Sequence, residues 1–453
     1  MEPAQARTRR DVRRGARRNR RGRAHPDRSR VGLPPIRRAY EEPRCGSRSA
    51  ARRGHRRGTA LPIRGPSARR LRLARSRNGQ LPGLRRLGRA LPEPADLRRD
   101  AGGRRGAFRR RAGGPLVIRV GLVGVGHWGP NVVRSFESGG RAEVKWICDL
   151  DDAALARMAG RHSGKTTKDF SDLLGDSDID AIAIATPVPT HFKLATAALE
   201  AGKHVLCEKP LTWTADECRQ LIATAEKHDR RLMVGHVFEY NASIRALKDL
   251  IDSGELGEIQ YMSFARTNLG PVRTDVNALW DLASHDISIM NYFLGASPLD
   301  VTARGHAWLN EGIEDAVFAT FRFATGALAH VEVSWLNPRK VRLITVVGDK
   351  KMAVWDDLAL QHPIQVFDRH VELPEVTGTF LEHKTAVVDG GVFLPSVRLN
   401  QPLAAECDHF LDCVENGTRP QTDGENGLRV VLALEAATKS MAEGSIVTPI
   451  PDA

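Results

Sequence analysis

From Val117 onward, short apolar runs alternate with segments whose apolar residues recur at helical spacing. The runs are VIRVGLV (117–123), AEVKWIC (142–148), AIAIAT (181–186), HVLCEK (204–209) and RLMVGH (231–236). The segments between them predict helices over 130–138, 151–161, 191–201 and 214–228. Strands that are apolar on both faces and joined through helices pair in parallel and are covered on both sides. Ligands of such sheets bind at the carboxyl ends of the strands. The residues to watch are therefore 124–129, Asp149, Thr186 and Pro187, Glu208 to Pro210, and His236.

After about residue 238 the texture changes. A helix is predicted over 240–251, a strand over 257–267 and a helical segment over 275–295. Strand patterns then follow one another at 315–324, 327–336, 340–348 and 352–357, without long helices between them. Helices around 402–415 and 424–442 close the chain. Consecutive strands of this kind predict an antiparallel sheet with one face in need of cover. The apolar alternation over 314–355 exceeds what so few helices can shield, so a second subunit is expected on that face, in a homodimer or homotetramer.

The first run leads directly into Gly124-Val125-Gly126-His127-Trp128-Gly129, a GxGxxG, and Asp149 follows twenty residues later at the end of the second run. Strand, spacing and acid agree with a dinucleotide site. The first glycine permits a tight turn, the second lets a pyrophosphate approach the backbone, and the third brings helix and sheet together. The expected fold is α/β, with a Rossmann dinucleotide-binding domain over 117–237 and an α/β domain with a large open antiparallel sheet over 238–453. Asp149 would accept hydrogen bonds from the adenosine ribose and repel a 2′-phosphate, which favours NAD over NADP. It could also cap the next helix, a task that Asp151 could equally perform. His127 and Trp128 occupy the variable loop positions, where they would cover the cofactor or simply pack.

Charge is distributed unevenly. Residues 1–115 hold 36 Arg, no Lys and 8 acidic residues, whereas the remainder carries 32 basic and 46 acidic residues. The positive sign of the formal net charge, +14 for the whole chain, therefore comes entirely from the first quarter; the body is acidic. That quarter lacks apolar periodicity and cannot bury a core, so segment 1–116 is expected to be a disordered Arg-rich extension. Arg without Lys resembles translated GC-rich upstream sequence, and a biological start near Val117 is expected. A nucleic-acid-binding or membrane-binding arm is the rival reading. No apolar segment of signal-peptide type follows the Arg pairs, and no 18-residue apolar run occurs. Neither export nor membrane insertion is expected. The six cysteines (Cys45, Cys148, Cys207, Cys218, Cys407, Cys413) show no metal-binding spacing, so no metal is expected and a reducing cytoplasm suits them.

The sequence ATPVPTHFKLATAALEAGKHVLCEKPL (185–211), with DLASHDI (281–287) after it, resembles the glucose/fructose oxidoreductase, inositol dehydrogenase and rhizopine-catabolism (Gfo/Idh/MocA) family. The resemblance spans essentially 117–450, with GxGxxG, EKP and DxxxH in the family's order. Within the family, GHVFEYNASIRALKDLIDSGELGEI and RTNLGPVRTDVNALWDLASHDISI look most like the nucleotide-sugar 3-dehydrogenase branch. The implied activity is NAD-dependent hydride transfer from a secondary alcohol of a sugar, at C3 of a UDP-linked amino sugar or its uronate. An inositol or free-sugar dehydrogenase, and a non-catalytic NAD-binding sensor or corepressor, are the alternatives.

The resemblance makes Lys209 of the EKP motif catalytic, joined by Asp281 and His285. An ammonium there can hold the reacting oxygen, while a neutral imidazole four residues from a carboxylate can take the proton and be oriented by it. Asp286 is expected to point elsewhere and serve structure. Thr186, Pro187 and His191 resemble the loop beside the nicotinamide, with Glu208 and Lys209 next to it. His236, Tyr240, Asn241 and Arg245 are candidates for the sugar pocket. Arg266, Asn268 and Arg273 are candidates for diphosphate or carboxylate contacts.

Deleting residues 1–116 is expected to leave stability and dehydrogenase activity unchanged. An arm that bound nucleic acid would instead give the long form alone a strong, salt-dependent affinity. Abundant peptides from before Val117, found by mass spectrometry in the native host, would overturn the expected start.

Overall fold

The computed structural model describes residues 117–372 and 386–453; the expectations for segment 1–116 lie outside them. The first sheet comprises β1 (Ile118–Val123), β2 (Ala142–Cys148), β3 (Lys165–Thr167), β4 (Ala181–Ile184), β5 (His204–Glu208) and β6 (Leu232–Gly235). All are parallel, in the order β3-β2-β1-β4-β5-β6. Helices α1 (Gly129–Ser138), α2 (Asp152–Ala159), α3 (Phe170–Gly175), α4 (His191–Glu200) and α5 (Ala215–Lys227) connect them. Every residue of the central strand β4 is buried, as is every residue of β6, the edge strand that the segment around Thr422 and Asp423 covers. Strand order reverses between β1 and β4, which opens a crevice at their carboxyl ends.

Local chemistry fixes the helix starts. Asp151 accepts from Ala153 N–H at 2.8 Å and caps α2, Asp169 caps α3, and Thr214 with Glu217 forms a capping box on α5. Strand β3 and helix α3 lie outside the sequence expectation. The strand is three residues long, Lys-Thr-Thr, and lacks an apolar pattern to read.

The second half contains α6 (Ala242–Asp252), β7 (Ile259–Leu269), a π-helical turn (Leu279–Ala283) running into α7 (Ser284–Leu294), and β8 (Asp300–His306). Next come β9 (Ala316–Arg322), β10 (Leu328–Ser334), β11 (Leu336–Gly348), β12 (Met352–Asp356), β13 (Ile364–Glu372) and β14 (Ala386–Phe393). The chain ends with α8 (Pro402–Asn416), α9 (Gly424–Ala442) and β15 (Thr448–Pro449). Nine strands form a second sheet in the order β14-β13-β12-β11-β7-β10-β9-β8-β15.

This sheet is mixed, where a purely antiparallel one was expected, because β7 and β10 run parallel. The chain crosses over through α7, and two reversals, β8 to β9 and β9 to β10, then bring β10 beside β7 in the same direction. Strands β8, β13 and β14 also escaped the sequence pattern; β8, with the sequence DVTARGH, has few apolar positions to reveal it.

The division near residue 237 separates the two sheets but not their cores. Helix α8 returns to the first sheet, where Phe410 meets Phe136 edge to face at 6.3 Å. Its residues Cys407, Leu411 and Val414 share a core with Val120, Leu122 and Ile147. Just beyond α8, Val234 N–H donates to Thr422 O at 2.7 Å. Within this packing Glu406 is fully buried, and neither of its carboxylate oxygens has a hydrogen-bond partner. Burial, reinforced by the neighbouring carboxyls of Glu208 and Glu239, drives its pKa well above the usual carboxylate range and favours the protonated form. The cysteines 148, 207, 218, 407 and 413 are free and buried.

One face of the second sheet is buried in the core by Val317, Phe321, Val331 and Val333, while Phe318, Leu328 and Tyr261 on the other face are exposed. We propose that a second copy of the chain covers this outer face, where Leu328 stands beside Tyr261 and Phe318 is exposed further along, since exposed large apolar side chains on a sheet face suit an interface. Light scattering at micromolar concentration is expected to give a dimer or tetramer; a monomer with and without NAD would refute the proposal.

Candidate active site

At the end of β1, Gly124 has φ +91°, and a Cβ there would lie 2.7 Å from the backbone of Ala185. A Cβ on Gly129 would stand 2.1 Å from the Gly124 carbonyl oxygen, so the third glycine is what lets α1 start against the loop. Helix α1 has no side-chain cap, and its first turn carries Pro130, which donates nothing. Asn131 N–H already donates to Trp128 O at 2.9 Å, whereas Gly129 N–H has no acceptor among the described residues and is available to an anion. Asp149 braces the loop from β2: one carboxylate oxygen accepts from Val125 N–H at 2.6 Å and the other from Asp151 N–H at 2.9 Å. Asp151, rather than Asp149, caps α2.

A cavity of about 550 Å³ opens at the carboxyl ends of β1, β4 and β5 and extends to β7, β11 and the start of α7. Gly126, His127, Trp128, Thr186 and Pro187 line the side nearest the glycine loop. Trp128 Nε1 donates to Glu208 Oε1 at 2.5 Å, joining the glycine loop to β5. Burial pushes the Glu208 carboxyl up to about 7, against the opposing pull of Lys209 and Trp128. His191 stands behind this wall. Its Nδ1 lies 3.0 Å from Pro210 O and its Nε2 2.8 Å from Thr186 O, so the buried ring ties the ends of β4 and β5 together.

Lys209 leaves the end of β5 through a cis peptide bond to Pro210. Its Nζ donates to Asp281 O at 2.7 Å and lies 3.9 Å from Asp281 Oδ1. Burial lowers the ammonium's pKa, and the Asp281 and Glu208 charges oppose that shift. Asp281 comes from the π-helical turn, and its carboxylate also accepts from Arg273 Nη1 and from Trp335 Nε1, each at 3.2 Å. His285 lines the same cavity, packed edge to face against Phe238 at 4.9 Å. Its Nδ1 is buried and has no hydrogen-bond partner, and desolvation, aided by the Lys209 and Arg266 charges, drives its pKa well below the ordinary imidazole value. The ring is neutral at pH 7. Asp281 makes no hydrogen bond to it, so the carboxylate orients Lys209 rather than the imidazole.

The other sequence candidates separate into two groups. Arg266, Asn268 and Arg273 line the cavity, but the fork of Arg266 is held by Asp286, with Nη2 to Oδ1 at 2.7 Å and Nε to Oδ1 at 3.1 Å. Asp286 thus fills the structural role expected of it. Arg273 is engaged by Asp275 and Asp281. Tyr240, Asn241 and Arg245 lie away from the cavity. Tyr240 is buried with its hydroxyl 3.1 Å from Thr422 Oγ1, and Asn241 caps α6. Arg245 donates to Glu239 O at 2.9 Å and covers the Tyr240 ring. His236 is buried with both ring nitrogens unpartnered, and burial lowers its pKa to about 3. Phe238, Trp335, Lys340 and Arg342 belong to the site or its support and were not read from the sequence. The aromatic residues follow a short strand and end a strand pattern, positions that also suit plain core.

Two family models match in succession: the oxidoreductase family with NAD-binding Rossmann fold over residues 118–236, and the Gfo/Idh/MocA C-terminal domain over 244–354. The chain belongs to the Gfo/Idh/MocA family and is an NAD-binding oxidoreductase. The UDP-N-acetylglucosamine 3-dehydrogenase of Acidithiobacillus ferrooxidans is 26% identical over 318 residues, covering 70% of this chain and 95% of that one. An inositol 2-dehydrogenase of Rhizobium meliloti is 25% identical over 348 residues, covering 72% of this chain and 98% of that one. The WlbA dehydrogenase of Bordetella pertussis, solved with NADH and UDP-GlcNAcA, shares the fold at TM-score 0.61 and 23% identity, covering 74% of this chain and 99% of that one.

The glycine cradle and the α1 N-terminus fit the pyrophosphate of NAD, and we propose that Asp149, at the end of β2, receives its adenosine ribose. Binding is expected to favour NAD(H) over NADP(H), with Asp149→Ala narrowing the gap in a fluorescence titration of both cofactors. Equal or tighter NADP(H) binding by the unmodified protein would remove Asp149 from the ribose position.

Proposed function

We propose that this protein oxidises a secondary alcohol of a sugar, with C3 of a UDP-linked amino sugar or its uronate as the favoured position. The observation that carries the reading is the convergence, in one cavity, of a buried ammonium, a carboxylate fixing it and a neutral imidazole. Relatives named as sugar and inositol dehydrogenases support the class, and the A. ferrooxidans and B. pertussis proteins support the nucleotide-sugar preference.

NAD, when bound, supplies the acceptor for the hydride that leaves the carbinol carbon. Neutral His285 takes the hydroxyl proton, and Lys209 donates to the same oxygen, stabilising negative charge as the C–H bond breaks. Asp281 positions Lys209 through its backbone carbonyl and its carboxylate, and Arg273 and Trp335 hold that carboxylate still. Gly126, His127, Trp128, Thr186 and Pro187 form the cofactor wall.

Lys209→Ala and His285→Asn are each expected to retain NADH binding while turnover with UDP-N-acetylglucosamine or its uronate falls about 10² to 10⁴-fold. The pH profile carries a second signature. Because His285 protonates well below 6.5, kcat/KM for oxidation should persist into acid past that value; because the Lys209 pKa is lowered from 10.5, the alkaline limb should fall before it. Unchanged turnover by His285→Asn, with chemistry limiting, would refute the assignment of the base. Faster turnover of myo-inositol than of every nucleotide sugar would move the protein to the inositol-oxidising alternative.

A further inference from the structure

Five cationic side chains line the cavity against two carboxylates, Glu208 and Asp281. Most are already spoken for. Arg266 is forked onto Asp286, Arg273 onto Asp275 and Asp281, Arg342 Nη1 lies 2.9 Å from Asp357 Oδ2, and Lys209 is held by Asp281. Lys340 is exposed and has neither an ionic nor a hydrogen-bond partner among the described residues.

Its position is built by the backbone. In the β7–β11 ladder Leu336 faces Leu269 and Val341 faces Thr267, so residues 337–340 all stand opposite Asn268. This stretch, Asn-Pro-Arg-Lys, is a large bulge that begins with a residue suited to turns and contains one that cannot donate to a ladder. Arg339 N–H donates to Asn337 Oδ1 at 3.0 Å, and Thr267 Oγ1 donates to Arg339 O at 3.4 Å, which fixes its shape. A regular strand would carry residue 340 elsewhere along β7; the bulge sets it on the cavity wall at the exposed end. Lys209, by contrast, has a side chain only 16% exposed, so the cavity runs from a closed reacting end to an open cationic rim.

We infer that Lys340, presented by the β11 bulge, is a specificity-determining residue that binds an anionic substituent of the substrate, a carboxylate or a phosphate ester, at the cavity's open end. The partly exposed guanidinium of Arg342, two residues on, adds to the same field. A flexible ammonium at a rim suits a charged group remote from the reacting carbon, because it needs no fixed bidentate geometry. The inference rests on the sugar-alcohol reading of the cavity and extends it to the substrate's charge.

The test uses the full chain with NAD+ and four probes: D-glucose, D-glucuronate, glucose 1-phosphate and UDP-N-acetylglucosamine. The expected result is a preference in kcat/KM for anionic over neutral probes. Lys340→Ala should reduce that ratio about tenfold, the size of one charge-assisted hydrogen bond, and chiefly through KM. Lys340→Glu should reduce it further, Lys340→Arg should restore most of it, and added salt should erode it. Glucuronate and glucose 1-phosphate separate a carboxylate from a phosphate as the group recognised. An equal loss for neutral and anionic probes would mark Lys340 as merely structural, and no loss would remove it from the site; either overturns the inference. Calorimetric titration of glucuronate, glucose 1-phosphate and UDP into the NADH-loaded protein separates the two readings. Lys340-dependent binding without sugar oxidation would fell the proposed activity and keep the anion site. Sugar oxidation with Lys340-independent binding would do the reverse.

Discussion

The site depends on neutralising a buried ammonium. Lys209 stands at the end of a central strand where water is scarce, and its charge is compensated largely by a residue from the other half of the chain. Asp281 supplies that compensation twice, through its backbone carbonyl and its carboxylate. Both groups come from the π-helical turn that precedes α7. Removing one partner of such a buried pair costs about 3–5 kcal/mol. The relative placement of the two sheets is therefore bound to the chemistry they enclose.

A second ion pair follows the same logic with a different outcome. Arg266 and Asp286 are 5% and 1% exposed and bonded through the guanidinium fork, which leaves little of that fork for a ligand. The Arg266 charge still reaches His285 and helps keep it neutral. A candidate for substrate contact thus also bears on the protonation state of its neighbour, after burial and the Lys209 charge. Trp335 acts comparably, since its indole N–H fixes the Asp281 carboxylate and so Lys209 indirectly.

The dinucleotide half was legible because its determinants are local. Glycine spacing, apolar strands and an acid at the end of β2 lie within a few dozen residues, and each has a steric or electrostatic reason that needs no partner elsewhere. Lys209, Asp281 and His285 were singled out through family resemblance, and the structure brings all three to one cavity. What escaped depends on long-range pairing. Tyr240 and Arg245 look like pocket residues until α8 and the segment after it return to pack with them; Thr422 and Gln421, which engage them, lie far along the chain. The parallel pairing of β7 with β10 is a matter of connection rather than composition. Lys340 reads as one more strand residue, because a bulge is defined by the register of the partner strand.

Glu406 carries a consequence for how the molecule responds to its medium. In an unfolded chain its carboxyl would ionise near 4.5, yet the folded interior keeps it protonated well above that value. Folding therefore favours the protonated form of this side chain. By linkage, the stabilising contribution of this side chain is complete below about pH 4.5 and declines as the medium becomes more alkaline, toward the raised folded value. The Glu208 carboxyl, raised to about 7, has the same sign. These two acids work against the usual loss of stability in acid, and the conformational reserve they contribute is spent first under alkaline conditions.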